Sequence, residues 1–382
     1  MARAIQDLRV AIVHDWLTNM GGAEKVVLSM LRAFPQADLY TSVYHPGRMP
    51  EFAKYDVKTS FLQKLPLAKQ KHQLFPTLRR YAFESFNFSQ YDVVITSSTA
   101  EAKGVITSES TLHISYINTP TRYFWSHYQD YLKNPGFGWL NPLARWQLKA
   151  NLKSSRRWDF AAAQRADYLL GNSITVQKRI EKYYRRPADV LYPSVETDRF
   201  QTERERPADA PDKYFVVVSR LIPYKRFDIA VEAATRNDQS LIVLGNGSEL
   251  SRLKAIAGPR VRFLGQASDE ELEAYVQHAE ALIFPGLEDF GIVPVEAMAA
   301  GTPVIAFDQG GASETVVDGV TGVLVKQQTA AAFAAVMRDF RADDYVPSKM
   351  KARAQEFSEE IFQQKLTGLV RDLIAGRARS VQ

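Results

Sequence analysis

Short apolar runs rich in Val and Ile recur along the chain, each followed by a stretch whose apolar positions return at helical spacing. VAIVH (10–14) leads into GAEKVVLSMLRAF, and YDVVITSS (91–98), TLHISYI (111–117) and ADYLLGNS (166–173) have the same buried-strand character. In the second half YFVVVSR (214–220), SLIVLGN (240–246), VRFLG (261–265), ALIFPG (281–286) and PVIAF (303–307) each precede a helical segment. Strand-then-helix alternation predicts parallel sheets with helices on both faces, an α/β architecture. QTERERPADAPDK (201–213) has no periodic apolar signal and is expected to be an interdomain linker. The expected division is a first Rossmann-like domain over 1–200, a second over 201–355, and a C-terminal helix, 356–382, that crosses back to the first.

The 382-residue length suits two such domains, and 46% hydrophobic with 24% charged residues is a globular composition. No apolar run reaches the roughly 18–20 residues that span a bilayer. The opening MARAIQDLRVAIVHDW carries Asp7 and runs straight into a strand pattern, so it does not read as a secretory signal. With no cysteine, disulfides and thiolate metal sites are excluded, and a cytoplasmic location is expected. Charge changes the picture more. Residues 1–200 hold 27 Lys+Arg against 17 Asp+Glu, while 201–382 hold 21 against 26. The basic half is expected to meet something anionic: nucleic acid, anionic lipid or a phosphorylated substrate.

In doubly wound sheets ligands bind beyond the carboxyl ends of the strands, so the strand–helix junctions are where chemistry is expected. At the first, His14 to Glu24, paired Gly21 and Gly22 open a helix whose first N–H groups lack partners. The alternative is a turn that needs positive φ. At the second, SRLIPYKR (219–226), Arg220 leaves a strand and Lys225 stands where the next helix begins. A guanidinium fork and an ammonium point charge suit a diphosphate; a surface cation pair is the plainer reading. The third is GLEDFGIVPVEAMAAG, Gly286 to Gly301, with Glu288 and Glu296 eight positions apart. Eight helical steps span about 12 Å, more than the ~5–9.5 Å of glycosidase carboxylate pairs. The two read better as separate acceptors for the hydroxyls of one extended ligand, with the Phe290, Gly291 and Ile292 amides facing what lies between. At the fourth, Gly310 and Gly311 are expected to add further free amides. Gly245-x-Gly247 lacks the remaining glycine spacing of a dinucleotide fingerprint.

Other chemistries find no support. There is no Gly-x-Ser-x-Gly, the six histidines (14, 45, 72, 113, 127, 278) have no metal-ligand spacing, and no Asp-x-Asp occurs. No metal site and no nucleic-acid module are expected. Any diphosphate would be neutralised by cations and amides.

Together, SRLIPYKRFD, GLEDFGIVPVEAMAAGTPVIA and GGASETVVDGVTGVLV, in this order, resemble the family 4 glycosyltransferases. The resemblance covers most of the chain. It implies the GT-B architecture, two Rossmann-like domains facing a central cleft, and metal-independent sugar transfer with retention. It also implies that Arg220 and Lys225 hold the donor diphosphate, that Glu288 contacts the transferred sugar, and that Glu296 binds the ribose. Gly21 and Gly22 match the N-terminal loop near diphosphate and acceptor. YINTPTRYFW (116–125) is similar to a subgroup of mannosyltransferases that use GDP-mannose in cell-surface polysaccharide synthesis, which makes Asn118, Arg122 and Tyr123 candidates for acceptor or sugar contact. That subgroup usually has His-Thr-Pro where this chain has Asn118-Thr119-Pro120. Asn takes up no proton near neutral pH, which argues against acid/base work at 118. The resemblance thus implies hexosyl transfer from GDP-mannose to a glycan or lipid-linked acceptor, with no cofactor beyond the nucleotide sugar. A UDP-sugar donor, or an idle sugar-nucleotide-binding protein, is the alternative.

Gln63–Tyr81 carries Lys64, Lys69, Lys71, Arg79 and Arg80, no acid, and interleaved Leu65, Leu67, Leu74, Phe75 and Leu78. Arg145, Lys149, Lys153, Arg156 and Arg157 form a second basic series with Trp146 and Trp158. Basic amphipathic stretches with aromatics suit an anionic membrane surface, here the inner face of the cell membrane; solvated helix faces are the alternative.

Overall fold

The computed structural model describes residues 4–71, 75–133, 138 and 141–380. The chain forms two compact units, Met1–Tyr192 with Phe362–Gln382, and Pro193–Ile361.

The first unit contains β1 (Val10–His14), β2 (Asp38–Thr41), β3 (Val57–Thr59), β4 (Val93–Ser98), β5 (Leu112–Ile117), β6 (Tyr168–Gly171) and β7 (Asp189–Val190). They form one sheet in the order β3-β2-β1-β4-β5-β6-β7, with every pairing parallel. β1, β4 and β5 are buried throughout, which is why they read as largely apolar runs, interrupted in β4 and β5 only by Thr96, Ser97, Ser98, His113 and Ser115. The short β2, β3 and β7 lie toward the sheet edges and carry no such run. The helix Glu359–Ser380 places Phe362, Leu366 and Val370, spaced one turn apart, in the core beneath β1 and β5.

The second unit contains β8 (Phe215–Val218), β9 (Leu241–Leu244), β10 (Val261–Gly265), β11 (Ala281–Phe284), β12 (Val304–Phe307) and β13 (Gly322–Val325). Their order is β10-β9-β8-β11-β12-β13, again all parallel. Both sheets are therefore doubly wound. The strand order reverses at β1/β4 in one and at β8/β11 in the other, and ligand crevices open at such reversals.

The division falls at Tyr192/Pro193 rather than at 200, and 201–213 is not a free linker. Arg204 pairs with Glu273 (2.7 Å) and its N–H bonds Gln277 (2.9 Å), while Tyr275 donates to Asp209 (2.5 Å). Polar side chains fasten this stretch to the second unit, and polar anchoring leaves no apolar period in a sequence.

Candidate active site

In the second unit the loop after β8 is held from behind by the loop after β9. Ser219 N–H bonds the Leu244 carbonyl (3.1 Å), Leu221 N–H that of Asn246 (2.9 Å), and Glu249 N–H that of Leu221 (3.0 Å). The two backbones run so close that a Cβ on Gly245 would lie 1.8 Å from the Ser219 carbonyl oxygen, and one on Gly247 2.1 Å from that of Leu221. Gly245 and Gly247, weak as a nucleotide signature, are thus the buttress of the Arg220 loop. Arg220 is exposed, and among the described residues its guanidinium has no hydrogen-bond or ion-pair partner. Lys225 does not open the α-helix. It ends the 3-10 turn Pro223–Lys225, Arg226 follows in a left-handed conformation (φ 54°), and the helix runs Phe227–Arg236. This turn withdraws the Lys225 side chain to 10% exposure, where its ammonium donates to the Glu288 carboxylate.

Glu288 stands in the loop between β11 and the helix Ile292–Ala300. That helix starts on Gly291 (φ 84°), has no side-chain cap, and stops on Gly301 (φ 87°). Its first turn leaves the Gly291, Ile292 and Val293 amides without intrahelical partners, and Pro294 has none to place. Glu296, four residues beyond Ile292, lies about 6 Å along the helix. Glu288 and Glu296 therefore do not act as a close pair: one meets Lys225, and the other lends its charge to Arg199. Burial lowers the Arg199 pKa, but Asp269, Glu273 and Glu296 together hold it above its ordinary value. Phe290 is buried, its ring against Phe357 (centroids 5.6 Å apart), so its side chain anchors the loop.

The glycine pair after β12 does something other than expected. Gly311 N–H is taken by the Glu288 carbonyl (2.9 Å), so it is not free for a ligand. A Cβ on Gly311 would lie 2.1 Å from both Cα and O of Phe290, and one on Gly310 2.4 Å from the Glu288 oxygen. These glycines let two loops touch, and so fix where Glu288 and Phe290 stand.

In the first unit Gly21 caps the helix Gly22–Ala33 with extended backbone (φ −159°), so a left-handed turn is not what requires it. Beneath it, His14 at the end of β1 bonds Glu24 (3.4 Å) and the Ser97 carbonyl (3.1 Å). Burial disfavours the charged imidazole, but the Glu24 hydrogen bond and the charges of Glu24 and Asp15 outweigh it and raise the His14 pKa. Asp15, fully buried, accepts from the N–H groups of Thr99, Ala100 and Ala102 (2.6, 2.9 and 2.7 Å) and from the Thr99 hydroxyl (2.9 Å). Nothing in its sequence spacing foretold this role.

Asn118 is buried and donates to Ser97 Oγ (3.1 Å). The half-buried Arg122 and Tyr123 follow on a segment gripped by two buried carboxylates. Asp159 accepts from Thr121 (2.7 Å), Trp125 (2.7 Å) and Tyr184 (2.8 Å) and pairs with Lys103 (2.7 Å). Glu101 accepts from Tyr123 (3.2 Å) and Arg79 (3.0 Å). Arg79, expected on a basic surface, is thus buried in an ion pair. Arg80 bonds Ser155 (2.5 Å) and lies over the Trp158 ring. Lys64, Leu67, Lys69 and Tyr81 remain exposed, and Leu74 lies outside the described residues. On the helix Asn141–Gln164, Arg145 and Arg156 bond backbone carbonyls of Leu132 and Phe124, and Trp158 bonds Glu84. Leu143, Trp146, Lys149, Lys153 and Arg157 are exposed, Trp146 by 67%. Among the described residues no helix is long and apolar enough to cross a membrane, and no His/Asp/Glu group could hold a metal ion.

Two family models together match residues 20–357: Glycosyltransferase Family 4 over 20–199 and Glycosyl transferases group 1 over 198–357. A D-inositol 3-phosphate glycosyltransferase of Streptomyces avermitilis is 31% identical over 226 residues, 51% of this chain and 48% of that protein. A GDP-mannose-dependent alpha-(1-6)-phosphatidylinositol monomannoside mannosyltransferase of Mycolicibacterium smegmatis is 30% identical over 218 residues, 50% and 57%. The chain spans about half the length of the curated relatives it matches. Among solved structures, Anabaena Alr3699/HepE in complex with UDP aligns with a TM-score of 0.69 at 18% identity, covering 96% of this chain and all of that one. Sucrose-phosphate synthase of Thermosynechococcus elongatus aligns at 0.71, 18% identity, with the same coverage. At such identity these two bear on fold alone, and the fold is GT-B.

Proposed function

This chain belongs to the family 4 glycosyltransferases, and from that premise we propose that it moves mannose from GDP-mannose, with retention and without a metal, to a glycan or lipid-linked acceptor in cell-surface polysaccharide synthesis. The observation that carries the reading is the set of groups at the β8/β11 reversal: exposed Arg220, without a partner among the described residues, the Lys225 ammonium, Glu288, and the helix start at Gly291 that has no side-chain cap. A departing diphosphate develops negative charge on its bridging oxygen. Arg220 and Lys225, with the Gly291 and Ile292 amides, stabilise that charge. Glu288 accepts from a sugar hydroxyl and Glu296 from the ribose, the separate roles that suit carboxylates with different partners. The acceptor hydroxyl attacks from the face the diphosphate leaves, and the leaving phosphate oxygen takes its proton. Nothing in this scheme asks Asn118 to carry a proton. Gly21 and Gly22 serve the diphosphate and acceptor, and Asn118, Arg122 and Tyr123 the acceptor. The GDP-mannose dependence for which the Mycolicibacterium relative is named supports the choice of donor.

For the membrane partner we favour the exposed Leu143, Trp146, Lys149, Lys153 and Arg157, joined by Lys64, Leu67 and Lys69, against anionic lipid at the inner face of the cell membrane. The central test is a thermal-shift screen with GDP-, UDP- and ADP-sugars, in which GDP-mannose raises the midpoint most. Arg220→Ala and Lys225→Ala then cut turnover at least about a hundredfold in a folded protein. Near-normal rates in both variants would remove the assignment, and stabilisation by a UDP-sugar alone would replace the donor.

A further inference from the structure

Lys225 is engaged by a side chain of the protein itself. Its ammonium donates to Glu288, with the rings of Tyr224 and Phe284 at 5.8 and 6.0 Å on its flanks. Among the described residues Glu288 is its one carboxylate partner. Neither group is loosely placed. The Lys225 N–H bonds the Ile222 carbonyl (3.1 Å), and a Cβ on Gly286 would lie 2.9 Å from the Lys225 carbonyl oxygen, so that backbone is packed. The Glu288 carbonyl holds Gly311 (2.9 Å), and the two side chains are only 10% and 15% exposed. A diphosphate approaching Lys225 must therefore share its ammonium with a carboxylate that solvent screens poorly.

We propose that Glu288 competes with the donor diphosphate for Lys225, so that the pair favours a nucleotide still bearing its sugar and expels the nucleoside diphosphate once the sugar has gone. The proposal rests on the reading that Lys225 faces the diphosphate and Glu288 the sugar. With the sugar in place, its hydroxyls donate to Glu288, which gives the carboxylate partners other than Lys225 and frees the ammonium for phosphate. With the sugar transferred, those donors are lost. Glu288 then stands beside a phosphate and competes with it for the ammonium both require. Recapture of Lys225 by Glu288 removes one of the two side-chain cations that hold the product. No bond is made or broken in this step; one ion pair replaces another.

Isothermal titration of the full chain with GDP and with GDP-mannose tests this, using UDP and its sugar if the thermal-shift screen selects a uridine donor. Glu288→Gln keeps the size and hydrogen-bonding capacity of the side chain but removes its charge. It is expected to bind GDP about tenfold tighter than the parent chain, with GDP-mannose bound no tighter, as befits loss of one charge competitor in a partly shielded site. Glu288→Asp keeps the charge and should leave GDP weakly bound. If Glu288→Gln binds GDP no better than the parent while Lys225→Ala binds it worse, the competition is wrong and the site assignment stands. Equal tightening by Glu288→Asp also overturns it, because charge is then not the cause. If Lys225→Ala and Arg220→Ala bind GDP like the parent chain, the assignment itself fails and the competition with it.

Discussion

Gly311→Ala is the substitution for which the structure gives the most definite expectation. The new Cβ would lie 2.1 Å from both Cα and carbonyl O of Phe290, where ordinary contact begins at 3.4 Å. The two loops must then part by more than an ångström, because the obstructing atoms are backbone and have no rotamer to change. Parting them stretches the 2.9 Å bond from Gly311 N–H to the Glu288 carbonyl and moves Glu288 relative to Lys225. Overpacking of this kind costs about 1–3 kcal/mol, with about 1 kcal/mol more for the lost hydrogen bond. The fold should survive with a lowered melting midpoint. Catalysis should suffer more, since misplacing a reacting group by about 1 Å is worth about a hundredfold in rate. The assay is release of nucleoside diphosphate from the sugar nucleotide chosen by thermal shift, alongside the melting curve. Gly368→Ala is the control: nothing lies within 4 Å of its added methyl, and alanine favours a helix by up to about 1 kcal/mol over glycine. If Gly311→Ala turned over within threefold of the parent chain while its midpoint fell, the clash would have been absorbed elsewhere and the loop argument would be refuted.

Three further expectations concern the first unit. Asp159→Ala strands Lys103 in a dry site and should cost about 3–5 kcal/mol in denaturant titration, whereas Asp159→Leu with Lys103→Met should recover much of it; equal losses would mean the pair is not the cause. Burial pushes His113 down to about 4, so the folded state holds it neutral while the unfolded chain takes up a proton below 6.5. Its contribution is complete above pH 6.5 and is lost as pH falls toward 4, about 3 kcal/mol over that window, and His113→Gln should flatten this part of the stability–pH curve. Vesicles rich in anionic lipid should sediment the protein at low salt, and Trp146→Ala with Lys149→Glu and Lys153→Glu should abolish it; unchanged sedimentation would move the contact off this helix.

Much of this was legible in the amino-acid order alone. β1, β4, β5, β8, β11 and β12 are buried along their length, so they left runs dominated by Val, Ile and Leu, and their alternation with helices specified the doubly wound class. Arg220, Lys225 and Glu288 could be singled out from the sequence because each follows a strand end within about two turns of chain, and Glu296 because it lies on the helix that comes next. The eight-residue interval between the glutamates already argued against a proton-transfer pair. What tertiary structure alone decided is which of these groups touch. Lys225 and Glu288 are 63 positions apart and meet because β8 and β11 are neighbours across the reversal of strand order. Gly245, Gly247, Gly310 and Gly311 carry no legible reason in the sequence, since the atoms that forbid a side chain belong to a different loop. Arg79 read as a surface cation because its partner Glu101 is 22 positions away, and Asp159 drew no notice because its partners come from three separate places in the chain, Lys103, the Thr121–Trp125 segment and Tyr184. Local pattern records which face of an element is dry and where a strand ends. Pairing of charges and close approach of backbones depend on strand order, which only the folded sheet supplies.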